Sequence, residues 1–351
     1  MNSVTNSAPV LAELDSLLLR EKAGDFAYSR LEREDLTQLA TLIFNGEELP
    51  LRDVERIARE ISLPMLAKLV QIQRLGRAFQ SAKRLEVRIR PVCFLPLASL
   101  LEEGGKEFAL DLCTSYLREL DKNLTLAQDI LMAVDRWHGL FATDDFLSSL
   151  FSLSHLDGAR NRFAILGPST FELDQIAEMH SLSELLTRLR LAGVTTIEGG
   201  SDLELHEFSV RRGFAVAVGQ QLANNNGSWD RFWREVLHLR TRLVPSGALQ
   251  VWFPWSSTPL DRSENSAESP LGEQTLRAVA LGRLVLPEVP YIRSPLSLMG
   301  CKVSHVALEF GANDLGFGAV DSRTAERLQI ERLSTVTNLV REHAPFSRIV
   351  I

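Results

Sequence analysis

From residue 85 onward the chain repeats one pattern: a short apolar run, a polar turn, then a longer stretch with helical periodicity. Leu85, Val87 and Ile89 alternate with Glu86, Arg88 and Arg90, the period-two signature of a strand, and an apolar run continues through Val92, Phe94 and Leu95. Further runs of strand length stand at residues 163–166, 194–197, 214–218 and 249–253. Helices are expected at 107–120 and 124–137, from Ser228 onward, at 275–286 and around Val303, Val306, Ala307 and Phe310. Another should carry Leu182, Leu185, Leu186 and Leu189, opened by a Ser181/Glu184 capping box and ended by Gly193. Parallel strands need crossovers long enough for a helix, so strands alternating with helices place the chain in the α/β class with a parallel sheet.

Before residue 80 the pattern is helical throughout. Leu51, Val54, Ile57, Ala58 and Ile61 recur on one face, and Pro64 can open the next helix. The reading is therefore a helical extension over 1–80 followed by a single α/β domain over 81–351, with a surface loop at 261–270. The aromatics Trp229, Phe232 and Trp233 fall on the apolar side of their helix and are read as core.

Composition narrows the partners. The 351 residues carry a net charge of −7 without a basic stripe, which argues against nucleic acid. No apolar run approaches the roughly 20 residues of a membrane span, and no secretory leader is visible, so a cytoplasmic protein is expected. Three scattered cysteines, Cys93, Cys113 and Cys301, fit a reducing compartment and form no local metal motif. Seven scattered histidines show no zinc spacing, and His155, His206, His238 and His305 are read as surface or boundary residues.

In a βα barrel the site lies where strands end, so the polar clusters after the apolar runs are the places to look. Glu172 follows one run, Gly199, Gly200 and Ser201 with Asp202 and Glu204 another, and Trp255 a third. Paired glycines let backbone N–H groups approach a ligand, and Asp202 or Glu204 could accept hydroxyl hydrogen bonds; a tight turn with solvated acids accounts for the same residues. Near the C-terminal end Gly311 can close a helix, with Asn313 and Asp314 folding back on the backbone.

The runs LQVWFPWSSTP from Leu249 and LGRLVLPEVPYIRSPLSLMGCKVSHVALEFGANDLG from Leu281, with LRLAGVTTIEGG from Leu189, resemble the radical S-adenosylmethionine enzymes of the futalosine route to menaquinone. Aminofutalosine synthase and cyclic dehypoxanthinyl futalosine synthase are the two types matched. The resemblance implies a TIM-type βα barrel, partial or complete, and a pocket for S-adenosylmethionine and a nucleoside-like molecule. Glu172, Asp202 and Glu204 become candidates for catalysis, and Gly199, Gly200, Ser201, Trp255, Asn313 and Asp314 for ligand binding.

The family holds a four-iron four-sulfur cluster with C-x-x-x-C-x-x-C after the first strand. Here that stretch reads PVCFLPLASLLEEGG, with Cys93 alone. Gln220, Gln221 and Leu222 stand where the family has a histidine and a glutamate, and Leu203 falls on or beside another glutamate. No cofactor is expected, and three functions stay open. One is a cluster-free partner, scaffold or binder, working beside a cysteine-complete paralogue or another menaquinone-pathway protein. The others are an active transferase or cyclase of that pathway, and a barrel re-employed for cluster-independent chemistry.

Overall fold

The computed structural model describes residues 34–81, 86–124, 129–135, 144–158, 162–169, 172–173, 181–200, 202–222, 229–255, 271–343 and 348–351. The loop expected at 261–270, together with Ser201 and Trp137, lies outside them. Among the described residues three helices come first: α1 (Glu34–Asn45), α2 (Leu51–Glu60) and α3 (Leu63–Ser81). Val54, Ile57 and Ala58 form the buried stripe of α2, as the spacing predicts. Leu66, Leu69 and Val70 of α3 pack in the same apolar cluster as Val87 and Ile89 of the first strand, so the helical extension shares a core with the sheet.

The remaining elements alternate: β1 (Glu86–Leu95), α4 (Leu97–Asn123), β2 (Asp129–Val134), α5 (Asp144–Ser154), β3 (Arg162–Ile165), α6 (Leu182–Leu191), β4 (Thr196–Glu198), α7 (Leu203–Arg211) and β5 (Ala215–Gln221). They continue with α8 (Trp229–Arg242), β6 (Leu249–Trp255), α9 (Leu271–Val285), β7 (Tyr291–Ile292), α10 (Leu296–Glu309), β8 (Asp314–Ala319), α11 (Ser322–Leu328), α12 (Leu333–His343) and β9 (Arg348–Val350). Two parallel sheets result, ordered β3-β2-β1-β8, with β9 also on β1, and β4-β5-β6-β7. Isolated parallel bridges, Ile165 to Val194 and Ser169 to Glu198 on one side and Arg293 to Asp314 on the other, close the two seams. The first eight strands thus follow chain order around a TIM-type βα ring.

Side-chain alternation divides the ring into two faces. Cys93, Leu95, Ile130, Met132, Phe163, Ile165 and Ile197 point outward into one helix-covered core, and Val216, Val218, Trp252, Ile292 and Leu315 into another. Between them, Val92, Phe94, Leu131 and Ala133 turn inward and pack with Ala164, Leu166 and Phe317.

Four expectations change. A helix is expected over 124–137, but Asp129–Val134 form β2: a barrel strand is buried on both faces, so its apolar run from Ile130 carries no period that separates it from a buried helix. The two-residue β7 lies within 287–295, and Asp314, expected to fold back on the backbone after Gly311, is the first residue of β8. Ser181 caps α6 by position, without a side-chain hydrogen bond. His206 is fully buried beneath the Gly199-Gly200 turn rather than at the boundary, its Nε2 lying 3.4 Å from the Gly200 carbonyl.

Among the described residues the junction of β1 with α4 is the tightest between a strand and the helix after it. Only Pro96 separates them, and the buried Asp135, just past β2, caps the new helix. Its carboxylate accepts from Ala98 N (2.8 Å), Ser99 N (3.2 Å) and Ser99 Oγ (2.6 Å). Helix starts leave N–H groups without intrahelical partners, and an acid near the N-terminus also favours the helix dipole. Asp135→Ala should lower the unfolding free energy by about 1–3 kcal/mol in urea titrations, with Asp135→Asn losing less; an unchanged midpoint would show that the cap contributes nothing.

Candidate functional site

The barrel lumen carries a layer of charge. Arg88 and Arg90 of β1, Glu198 at the end of β4, Arg293 just past β7 and Asp314 at the start of β8 all turn inward. Arg90 pairs with Glu198 Oε1, and Arg293 Nη1 donates to Glu198 Oε2 at 3.0 Å. Arg293 Nε forms an ion pair with Asp314 Oδ2 at 3.3 Å, and that oxygen accepts a hydrogen bond from Arg88 Nε at 3.1 Å. Asp314 Oδ1 takes the Gly316 N–H at 2.6 Å. Aromatic faces support the guanidiniums: Arg88 lies 3.5 Å from the Tyr291 ring centroid, and Arg293 lies 5.1 Å from Phe317 and 5.5 Å from Phe253. Gly219 makes room for this, since a Cβ there would stand 2.7 Å from the Phe253 ring.

Burial and pairing compete across the layer. Burial alone would favour the neutral acids, but Arg293 and Arg90 hold the Glu198 carboxyl below its ordinary range, and Arg293 and Arg88 do the same for Asp314. Burial likewise pulls on the Arg293 guanidinium, yet Asp314 and Glu198 outweigh it and raise its proton affinity. Burial also lowers the proton affinity of Arg90, opposed by the Glu198 carboxylate.

The residues singled out by sequence divide into three sets. Asp314 enters the luminal layer, and Trp255 borders it near Gly219. Gly199 and Gly200 both take left-handed conformations, with φ of 89° and 68°, and Gly199 N donates to Ala217 O, so the pair turns the chain sharply at the barrel rim. The others serve their own neighbourhoods. Glu172 accepts from Ser169 N and Oγ, Asp202 caps α7 by accepting from Leu205 N, and Glu204 is exposed. Asn313 ties β7 to β8, its Oδ1 accepting from Arg283 Nη2 and Ile292 N while Nδ2 donates to Pro290 O. Glu198 heads the glycine cluster in the sequence without being a candidate of its own, and Arg88, Arg90 and Arg293 are not singled out; the available signal is two arginines on alternate positions of a strand that a closed barrel buries on both faces.

The residues at the end of β1 do not fit a thiolate-bound cluster. Cys93 points away from the lumen into the outer core beside Leu95, Leu97, Cys113 and Leu117, and burial pushes its thiol up beyond the usual range. Burial also pushes the Cys113 thiol up to about 11, the opposite of what a ligating thiolate needs. Cys301 lies in α10, its side chain outside the described residues. Among the described residues, no three His, Cys, Asp or Glu side chains are grouped to hold a metal ion. No described helix is long and apolar enough to cross a membrane.

The depressed affinities of Glu198 and Asp314 for protons fix a pH dependence. As pH falls, the unfolded chain takes up these protons first, so the stabilisation is whole above about pH 4 and is lost as pH drops through the lower folded values. Urea midpoints should fall on acidification below that point. Glu198→Gln should cost about 3 kcal/mol at pH 7 and flatten the acid loss; a wild-type midpoint constant to pH 3 would contradict this.

No family model matches the sequence, and no curated protein does. Solved structures do match. A methylornithine synthase (PylB) structure superposes with a TM-score of 0.57 over 89% of this chain and 97% of that one, at 15% identity. The FeFe-hydrogenase maturase HydG from Carboxydothermus hydrogenoformans gives 0.52 over 89% and 79%, at 13% identity. A further structure of HydG, a maturase of the FeFe-hydrogenase, gives 0.54 over 87% and 74%, at 10% identity. At these identities the likeness is one of fold, a TIM-type βα barrel shared with these three structures.

Proposed function

We propose that this chain is a radical S-adenosylmethionine-like barrel that works without an iron–sulfur cluster, binding a small molecule in its lumen and serving as a partner of a cysteine-complete enzyme. The observation that carries the reading is the β1–α4 junction. One proline joins the two elements, Asp135 clamps the first turn of the helix, and Phe94 on the inner face is packed with Val92, Leu131 and Ala133. Where a cluster loop would project, backbone is hydrogen-bonded and apolar side chains are packed.

The segment after β8 adds to this. Thr324 Oγ1 accepts from Phe94 N at 3.0 Å, the Arg327 guanidinium lies 5.3 Å from the Phe94 ring, and Leu328 and Ile330 join the inner apolar cluster. The end of β1 is therefore engaged from two sides. Relation to the futalosine route rests on the ordered resemblance of residues 189–200, 249–259 and 281–316, and places a menaquinone-pathway enzyme among the partners to look for.

Anaerobic reconstitution with iron and sulfide, followed by iron analysis and electron paramagnetic resonance, tests the reading. Far less than four irons per chain and no reductive cleavage of S-adenosylmethionine are expected. Stoichiometric iron with cleavage would overturn it. Thermal unfolding with futalosine derivatives addresses the pathway, since a ligand of the native state must raise the midpoint.

A further inference from the structure

The outer helices of the barrel bury their apolar stripes against the strands, and α12 does so with Val336 and Val340. The neighbouring stripe of the same helix is polar. Ser334, Thr337, Asn338 and Arg341 stand at i, i+3, i+4 and i+7, and all four line a cavity of about 440 Å³ on the outside of the ring. Its other wall is apolar: Leu124 after α4 and Val320 after β8 pack against one outer core, whereas Leu333 at the start of α12 packs against the other. The hollow therefore lies where the two helix-covered cores part, and its volume falls in the range of small-molecule sites.

Two guanidiniums border it. Arg332 is held on β8 by a parallel bridge to Ala319, and its Nη2 donates to Ser322 Oγ. Arg341 makes no hydrogen bond or ion pair with a described residue, and the side chains of Ser334 and Asn338 are equally unused. Among the described side chains of the lining Asp321 is the one carboxylate, and it is committed elsewhere. Its Oδ1 accepts from Thr324 N at 2.8 Å, and its Oδ2 accepts from Thr324 Oγ1 at 3.2 Å and from the Tyr116 hydroxyl. Positive charge and spare donors thus run along one wall, with apolar surface opposite and no unengaged acid between them.

We infer that this outer hollow binds a phosphate monoester of nucleotide size, its phosphate at Arg332, its organic body along Leu124 and Val320, and an acceptor at its far end meeting Arg341. A phosphate monoester carries nearly two negative charges and three acceptor oxygens, matching two arginines that have no carboxylate partner, whereas a monocarboxylate balances only one of them. Nine residues at 1.5 Å each set Arg332 and Arg341 about 13 Å apart along the helix, a span suited to the two ends of one molecule. The site is separate from the luminal layer and independent of whether a cluster is present.

Isothermal titration of the full chain with AMP, phenyl phosphate, adenosine and benzoate tests it. AMP should bind; phenyl phosphate, too short to reach Arg341, should bind more weakly; adenosine and benzoate should bind at least about tenfold more weakly than AMP. Arg332→Gln should weaken both phosphates about tenfold or more, and Arg341→Gln should weaken AMP while leaving phenyl phosphate unchanged. Arg332, Ser334 and Arg341 are all exposed, so these changes remove no core packing, and Ser334→Trp should block the hollow in a folded protein. Hydrogen exchange should show AMP protecting 319–341 and leaving β4 and β7 unchanged. No AMP binding to folded wild-type protein, adenosine binding as tightly as AMP, full affinity in Arg332→Gln, or protection at β4 and β7 instead would overturn the proposal.

Discussion

The Arg90–Glu198–Arg293–Asp314–Arg88 layer is the interaction on which the barrel depends. The two sheets meet at seams held by isolated bridges, where the main-chain ladder is thinnest. Arg90 to Glu198 crosses from the first sheet to the second, and Arg293 to Asp314 crosses the seam between β7 and β8. Side-chain ion pairs thus span the places where backbone pairing is sparse. Charges in such surroundings must find partners, because an isolated buried charge is far more costly than a matched one. The layer therefore specifies which strands close on which, in addition to any free energy it contributes.

Much of the architecture can be read in the sequence because the outer strand face keeps an apolar period and the crossovers keep helical ones. Strands at 163–166, 194–197, 214–218 and 249–253 emerge within a few residues of β3 to β6. What escapes detection has a physical cause. In β2 both faces are buried, so Ile130 to Val134 carry no alternation; β7 has two residues, too few for any period; and β8 contains Gly316 and Gly318, which weaken a strand pattern.

The site is less legible for a related reason. Arg88 and Arg90 look like the solvated side of an amphipathic strand, and only closure of the ring turns that side into an interior. Asp314 stands out through its place in a turn-like hexapeptide. Glu198 sits within the glycine cluster that draws attention to Asp202 and Glu204, yet only Glu198 precedes the turn and keeps the inward direction of β4. Local patterns identify polar residues near strand ends; which of them face the lumen is decided by one-residue differences in phase.

The one-proline junction after β1 limits what writing a C-x-x-x-C-x-x-C motif into this chain could achieve. Counting C-x-x-x-C-x-x-C from Cys93 places the second and third thiolates at Leu97 and Leu100. Both leucines lie in the opening turn of α4 and are buried in the same outer core as Cys93. Leu97→Cys with Leu100→Cys would restore the written motif and direct all three thiols behind the barrel wall. A loop that turned three thiols toward the lumen would need added backbone that lifts the chain off Asp135, which substitutions at Leu97 and Leu100 do not supply.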